Sequence, residues 1–218
     1  MDEKDKRMAT KIESADSEVI KYLLMTMEDK TDNPSTTSKK FKKDLWDFCT
    51  NPIYLSIGSR FRNAVEFGTH KGQTTALLAE LFSKVYTFNL PGHFDAAKEF
   101  NADRNNIEYI GHDLYSGRVP SLNESAGYVS LVFSDAVHEY NAVVQDVENT
   151  TTWFHVSKPC YFVFDDYGAW EDVHRAVDDM IRYDMLEFVA HIGHPAGWVY
   201  SDKSPALKDW EGIICKLK

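Results

Sequence analysis

The chain has 218 residues, 43% of them hydrophobic, and a formal net charge of −10 at pH 7. This length is enough for one sizeable core with an appended helical segment. The acidic balance argues against general binding to a nucleic-acid backbone, because counterion release requires clustered cations. The short basic cluster 39–43 is more simply explained as the solvated face of a helix.

The cysteines and the hydropathy of the chain indicate the cellular compartment in which it works. Cys49, Cys160 and Cys215 form no CxxC pair, and the last two lie in apolar runs, so we expect buried thiols in a reducing compartment. No apolar run approaches the ~20 residues that a membrane span needs, and no signal peptide is recognised. We therefore expect a soluble, cytoplasmic protein with neither a nucleic-acid nor a membrane partner.

Two short helices are predicted before the main body of the chain. The first covers 16–28 and the second lies around 41–48, each with an apolar stripe at helical spacing. Between them, residues 31–38 are all small, polar or proline and are typical of a linker. We divide the chain into 1–50, a helical extension that either covers a site or mediates homo-oligomer formation, and 51–218, a single larger domain.

From residue 63 onward, β-rich runs alternate with amphipathic helical segments. Strands are predicted over 63–67, 84–89, 107–111, 128–134 and 160–164, and helices over 73–82, 94–101, 140–154 and 171–184. Three further β runs, at 187–192, 197–200 and 211–216, have no long helix between them, which indicates an antiparallel edge. The pattern predicts an α/β fold: a doubly wound, Rossmann-like, mostly parallel seven-stranded sheet with an antiparallel C-terminal hairpin.

Acidic residues follow two consecutive predicted strands. Asp135 comes directly after the fourth strand, with His138 three residues later, and Asp165 and Asp166 follow the fifth. A strand–helix–strand unit of this length is a right-handed crossover between parallel neighbours, which lie about 4.8 Å apart. The carboxylates and the imidazole are therefore predicted to meet at the carboxyl edge of the sheet, where open α/β sheets bind ligands.

A glycine turn follows the first strand, in the sequence Glu66-Phe-Gly68-Thr69-His-Lys-Gly72. Glycines allow the backbone to approach a ligand closely, and the helix that follows offers free N–H groups. The G-x-G-x-x-G spacing of a pyrophosphate-binding dinucleotide fold is absent, which argues against an NAD-linked dehydrogenase. The turn fits a nucleoside-type ligand without a pyrophosphate.

Residues 63–200 resemble the class I S-adenosylmethionine (SAM) methyltransferases, and more narrowly the macrocin-type sugar O-methyltransferases. The resemblance is carried by the first cofactor motif at Glu66, Gly68 and Gly72, by D-x-x-H at Asp135 and His138, and by the acidic pair Asp165-Asp166. It implies transfer of a methyl group from SAM to a hydroxyl of a sugar or glycan. The acceptor would be activated by a divalent cation, Mg²⁺ or Mn²⁺.

The resemblance also implies a role for each matching residue. His138 would be the general base, with Asp135 beside it in catalysis, and the metal ligands would be Asp135, Asp165 and Asp166. The cofactor would contact Glu66, Gly68, Thr69, Gly72, Asn89, Asp113 and Asp135. An acceptor with vicinal hydroxyls can chelate a cation, which lowers the pKa of the hydroxyl attacked.

One departure from the family pattern leaves alternatives open. Asn89 stands where an acid usually holds the ribose, and an amide loses the charge-assisted contact. A non-catalytic SAM- or nucleoside-binding module therefore remains possible, as does a catechol-type O-methyltransferase. Taken singly, Asp165 and Asp166 are also explained as a helix cap, and His138 as a capping or surface histidine.

Overall fold

The structure of the protein, a computed structural model, describes residues 18–32, 36–51, 63–117, 128–201 and 204–218. The start of the predicted first helix, at 16–17, and positions 33–35 of the predicted linker lie outside the described residues. None of the described helices is both long enough and apolar enough to cross a membrane.

The described residues form six helices and seven strands. The helices are α1 (18–26), α2 (Lys39–Thr50), α3 (Gln73–Leu81), α4 (Asp95–Phe100), α5 (Tyr140–Trp153) and α6 (Glu171–Arg182). The strands are β1 (Asn63–Phe67), β2 (Lys84–Asn89), β3 (Ile107–Gly111), β4 (Tyr128–Ser134), β5 (His155–Phe164), β6 (Leu186–Ile192) and β7 (Gly212–Leu217).

The sheet has the order β3-β2-β1-β4-β5-β7-β6. The first five strands are parallel to their neighbours, whereas β7 lies antiparallel to both β5 and β6. The predicted Rossmann-like, seven-stranded sheet with an antiparallel C-terminal hairpin is confirmed. The order reverses between β1 and β4, so the carboxyl ends of these two strands flank the crevice that such sheets use for ligands.

One predicted strand and one predicted strand boundary were wrong. Residues 197–200 form no strand, because Gly197 has a φ of +83° and its N–H donates to the carbonyl of Leu207 within a loop. The fifth strand begins at His155 rather than at residue 160. A register shift against β4 accommodates Pro159 within the longer strand.

The sheet is covered on both faces. Helices α5 and α6 pack on one face and α1, α2 and α3 on the other. Cys49, Cys160 and Cys215 are buried and free, as the sequence predicted for the last two.

The described N-terminal helices belong to this packing. The fully buried Phe41 of α2 meets Phe133 of β4 edge to face, with ring centroids 6.0 Å apart. A Cβ on Gly212 of β7 would lie 2.1 Å from the Phe41 ring, so the backbone at Gly212 leaves room only for hydrogen beside that ring. The ends of α1 and α2 are thereby fixed next to the carboxyl edge of the sheet.

Candidate active site

The carboxyl ends of β4 and β5 bring the predicted acids together. The N–H of Asp135 donates to the carbonyl of Phe67 in β1, and the N–H of Asp165 donates to Ser134 at the end of β4. Asp135, Asp165 and Asp166 therefore leave adjacent strands at one edge, in the arrangement that the crossover predicted. We call this group, together with His138, the acidic corner.

His138 lies between two carboxylates. Its Nε2 is 3.4 Å from Asp135 Oδ1 and 3.3 Å from Asp166 Oδ2, and its ring stacks on Trp170 at a centroid distance of 5.2 Å. Carboxylates only accept, so these contacts assign the proton of the neutral imidazole to Nε2 and a lone pair to Nδ1. Burial lowers the pKa of His138, but Asp135 and Asp166 outweigh it and leave that pKa raised. The contacts of Nε2 with Asp135 and Asp166 thus orient the imidazole ring.

The predicted metal ligands do not all converge. Asp135, His138 and Asp166 each offer one ligand atom, and these atoms lie within 4.8 Å of one another. Asp165 is turned elsewhere: its Oδ2 accepts from the Thr37 hydroxyl at 2.9 Å, and its Oδ1 accepts from the N–H of Asp166 at 2.8 Å. Asp165 therefore does not join the group formed by Asp135, His138 and Asp166.

An ammonium group contacts one of the predicted metal ligands. Lys30 Nζ is 2.6 Å from Asp166 Oδ1, its side chain is only 8% exposed, and it sits over the Tyr200 ring at 4.9 Å. Burial alone would lower the pKa of Lys30. The charges of Asp165 and Asp166 exceed that effect, so the pKa is raised and the lysine is charged.

Lys30 comes directly before residues 31–38, which the sequence presented as a linker. The described residues between α1 and α2, 27–32 and 36–38, are bonded to three places at the carboxyl edge of the sheet. Glu28 N–H donates to Gln73 Oε1 at 3.1 Å, Thr37 donates to Asp165, and the Ser38 hydroxyl donates to the fully buried Glu211 at 2.6 Å. The described part of this segment therefore forms one wall of the site.

Lys42 reinforces the same contact and corrects a prediction. It lies in the basic cluster expected on a solvated helix face, yet it is fully buried. Its Nζ donates to the Thr37 carbonyl at 2.6 Å and to Gln73 Oε1 at 3.1 Å. Burial lowers its pKa to about 8, against the opposing charges of Asp165, Asp29 and Glu211.

The glycine turn packs against the acidic corner. Gly68 has a φ of +100°, and a Cβ there would lie 2.1 Å from the carbonyl oxygen of Asp135. Gly72, at the start of α3, has a φ of +74° and receives a hydrogen bond on its carbonyl from Asn101. Thr69 is buried and its hydroxyl contacts Thr87 and the Phe88 carbonyl. The absence of a side chain at Gly68 therefore allows the turn after β1 to pack against the backbone of Asp135.

Glu66 presents a buried oxygen beside this turn. The residue is fully buried, and its Oε2 accepts hydrogen bonds from the Thr75 and Thr87 hydroxyls. Its Oε1 has no partner among the described residues. Glu66 lines a niche of about 20 Å³ together with Thr37, Gly68 and Asp135, which is room for one small polar group. A buried acceptor in that position calls for a donor from outside the chain.

The Glu66 carboxyl makes stability depend on pH. Burial raises its pKa from the ordinary 4.5 to about 8, while the hydrogen bonds from Thr75 and Thr87 oppose the shift. A carboxyl whose pKa is raised on folding stabilises the fold fully below its unfolded pKa, and that contribution is lost as pH rises through the folded pKa. Each pKa unit corresponds to about 1.4 kcal/mol.

We expect the free energy of unfolding to fall between about pH 5 and about pH 9, by less in Glu66→Gln than in the parent chain. Urea titrations of both proteins at the two pH values measure this. Asp146, whose pKa burial raises to about 7, contributes in the same direction in both proteins and cancels in the comparison. Equal slopes in the two proteins would contradict the raised pKa of Glu66.

A larger cavity of about 800 Å³ opens on the other side of Gly68 and Asp135. This volume lies within the ~300–1,000 Å³ typical of small-molecule sites. Its wall includes Asn89, His93, His112, Asp113, Tyr115, His138 and Trp170. The predicted cofactor residues at the ends of β2 and β3 and the predicted base thus share one cavity.

Asn89 and Asp113 are both engaged locally. The Asn89 amide donates to the His93 carbonyl at 3.2 Å, and its Oδ1 accepts from the N–H of Leu90 at 2.9 Å. Asp113 Oδ1 accepts from the N–H of Tyr115 at 3.0 Å, which leaves its Oδ2 available to a ligand. Asn89 has less capacity left for a ribose than an acid at that position would have.

No family model matches the sequence, and no curated protein matches it. Solved structures do match the fold. The O-methyltransferase NovP aligns at a TM-score of 0.59 and 12% identity, over 83% of this chain and 81% of its own. The N-methyltransferase NodS from Bradyrhizobium japonicum WM9, in complex with S-adenosyl-L-homocysteine, aligns at 0.58 and 15%, over 92% and 97%. The fold is that of the Rossmann-like methyltransferases.

These structural similarities show the fold of this chain, and they do not identify the molecule that would accept a methyl group. The ribosomal protein L11 methylase from Lactobacillus delbrueckii subsp. bulgaricus also aligns, at a TM-score of 0.51 and 12% identity, over 72% of this chain and 70% of its own. One fold thus carries enzymes named for transfer to oxygen, to nitrogen and to a protein. The acceptor of this chain has to be argued from its own site.

Proposed function

We propose that the chain is a SAM-dependent O-methyltransferase that methylates one hydroxyl of a sugar or glycan with vicinal hydroxyls. The observation that carries the proposal is the position of His138. Its imidazole is held by Asp135 and Asp166 in the wall of the same cavity that Asn89 and Asp113 line. A hydroxyl acceptor must lose its proton during methyl transfer, and an oriented base beside a nucleoside-sized cavity can accept that proton.

The residues around the glycine turn fit SAM. Glu66 Oε1, buried beside Gly68, would hold the α-ammonium group, and Asp113 Oδ2 would accept from the adenosine. When bound, SAM supplies a methyl group on a positively charged sulfur, ready for in-line displacement. The chain must align the acceptor oxygen with that methyl and exclude water. Thr36 and Thr37, which precede α2 and line the niche, contribute to the exclusion.

His138 supplies the proton acceptor. A sugar hydroxyl is a poor nucleophile at neutral pH, so its proton must leave as the bond to carbon forms. Nε2–H of His138 is held by Asp135 and Asp166, and Nδ1 is left to take the proton. The resulting imidazolium is stabilised by the same two carboxylates. A neutral amine acceptor would need no such base during attack, which favours oxygen over nitrogen.

A sugar is favoured among vicinal diols by the resemblance to macrocin-type enzymes and by Trp170. This indole is 52% exposed, lies in the cavity wall and stacks on His138. A half-exposed indole next to the base offers an apolar face to a sugar ring, and equally to a catechol. Vicinal hydroxyls are also what a divalent cation would chelate, but the described donor set with Lys30 in place does not fit such an ion. The chemistry above therefore uses residues of the chain alone.

The test has two arms. Calorimetry of the full chain should give SAM and S-adenosyl-L-homocysteine binding and no NAD binding. Incubation with methyl-labelled SAM and panels of sugars, glycans, catechols and amines should then give label in a sugar or glycan. Binding of SAM without transfer to any panel would support the non-catalytic module instead, and label in amines alone would overturn the hydroxyl assignment.

A further inference from the structure

We infer that Lys30 is the built-in cation of the acidic corner: its ammonium occupies the position of a divalent ion on Asp166, and the reaction is metal-independent. The claim that the reaction is metal-independent rests on the proposed function. The claim that Lys30 takes the place of an ion does not. That claim rests on the juxtaposition of a buried lysine from the segment between α1 and α2 with a carboxylate at the end of β5.

The geometry of Asp166 shows how the lysine acts. One oxygen, Oδ1, accepts from Lys30 Nζ at 2.6 Å, and the other, Oδ2, lies 3.3 Å from His138 Nε2. Asp166 also has a φ of +57°, a conformation that residues other than glycine adopt rarely. Lys30 therefore orients the Asp166 carboxylate, and Asp166 in turn orients the His138 imidazole. We regard Lys30 as a positioning residue.

Few donor atoms of the described residues remain for a divalent ion beside Lys30. Mg²⁺ and Mn²⁺ prefer several oxygen ligands in near-octahedral geometry. Asp165 gives both of its oxygens to Thr37 and to the N–H of Asp166, and Asp166 gives one to Lys30. Only Asp135, one oxygen of Asp166 and the Nε2 side of His138 remain. A metal ion there would also lie next to a buried ammonium of the same charge sign.

The lysine is held by more than the ion pair, so it is not a casual surface contact. Its ammonium lies over the Tyr200 ring, and the residues on either side of the segment are bonded to Gln73 and Glu211. A lysine brings three donors and one positive charge without any dependence on metal supply. Unlike a metal ion, it cannot chelate two acceptor oxygens. The charge therefore acts on Asp166 and His138 rather than by bidentate capture of the diol.

The experiment measures Mn²⁺ binding to the full-length chain without SAM or acceptor, by electron paramagnetic resonance of the free ion. The parent protein should bind no Mn²⁺ at the acidic corner. Lys30→Met, which keeps the unbranched chain up to the ε position and removes the charged ammonium, should create one site. The double variant Lys30→Met/Asp166→Asn should lose it. Because this arm needs no turnover, a failure of the proposed methyl transfer would not be mistaken for a failure of the inference.

The matched control is Lys42→Met, which removes the other buried lysine of the same region without touching Asp166. It should create no Mn²⁺ site. Circular dichroism and urea titration establish that each variant is folded, and Lys30→Gln serves if Lys30→Met is not. Mn²⁺ binding by the parent chain that Asp166→Asn abolishes would overturn the inference. So would the absence of a new site in folded Lys30→Met and Lys30→Gln.

The kinetic arm separates positioning from a structural role. Parent activity should be unchanged by a strong chelator. Lys30→Met should lower kcat by about 10- to 100-fold, as expected for a lost hydrogen bond between charged groups, with KM for SAM unchanged. Lys30→Arg should retain most of kcat, and Mn²⁺ should restore part of it to Lys30→Met. Loss of parent activity in the chelator, restored by Mg²⁺, would show that a metal and not Lys30 supplies the charge.

Discussion

His138→Ala is expected to keep SAM binding and to lower turnover by about 10²–10⁴-fold, the usual cost of a lost general base. The imidazole is the only group in the cavity wall, among the described residues, that two carboxylates orient through one nitrogen. Removing it leaves Asp135 and Asp166 in place but takes away the imidazole that would accept the proton. Turnover measured at saturating SAM and acceptor, with SAM affinity measured by calorimetry, separates the two effects.

The matched control is His112→Ala, in the wall of the same cavity. His112 Nε2 contacts the Gly117 carbonyl at 2.6 Å and its ring meets Trp153, so that nitrogen is oriented by a carbonyl and not by a carboxylate. Its replacement should change turnover far less. The pH–rate profile adds a second check. The raised pKa of His138 places the acidic limb of the parent profile above the ordinary imidazole value of 6.5, because activity falls as the base becomes protonated. Equal losses in the two variants would remove His138 from its assigned role.

The sequence was sufficient to predict the strand order around the site. Apolar β runs separated by helical segments leave few topologies, and right-handed crossovers place Asp135 and the Asp165-Asp166 pair at one edge without further information. The glycine turn was also recognisable, although the reason for Gly68 was only partly right. Its missing side chain makes room for the backbone of Asp135, a contact between residues far apart in the chain.

The direction of each carboxylate was not predictable from the motif. Asp165 and Asp166 follow the end of β5, and the φ of +57° at Asp166 turns the backbone so that the two carboxylates face different partners. Asp166 faces His138, whereas Asp165 faces Thr37. The prediction of three metal-binding carboxylates treated both members of the pair alike. Asp165 as a ligand stays a prediction, and the contacts made by its oxygens argue against it.

The segment between α1 and α2 was the largest omission. Small polar residues and lysines are most often exposed, and nothing local distinguishes Lys30, Thr37 or Lys42 from a solvated stretch. Their burial follows from partners that lie more than a hundred residues away for Lys30 and Thr37. The burial of Glu211 and Gln73 was not predicted from the sequence either. Hydrogen-bond networks between distant polar residues leave no periodic signal.

The effect of this docking on stability is open to a direct measurement, for which we expect Phe41→Ala to cost about 3–5 kcal/mol of unfolding free energy. Phe41 is fully buried between β4 and β7, in contact with Phe133 and against Gly212. Its removal leaves a cavity in the core face that α2 and the sheet share, and the surrounding strands cannot collapse into it without disturbing β7. Urea unfolding followed by fluorescence and by circular dichroism gives the value.

The control is Tyr22→Ala on α1, an aromatic side chain that is 68% exposed and whose loss should change the free energy by less than about 0.5 kcal/mol. The form of the transition decides between two views of residues 1–50. If the helices are part of one cooperative core, Phe41→Ala shifts the single transition, and both spectroscopic signals move together. If they are a detachable cover, the main transition stays where it was and a separate early transition appears. We expect the single shifted transition, because α2 fills a face of the sheet that would otherwise expose Phe133 and Ile214 to water.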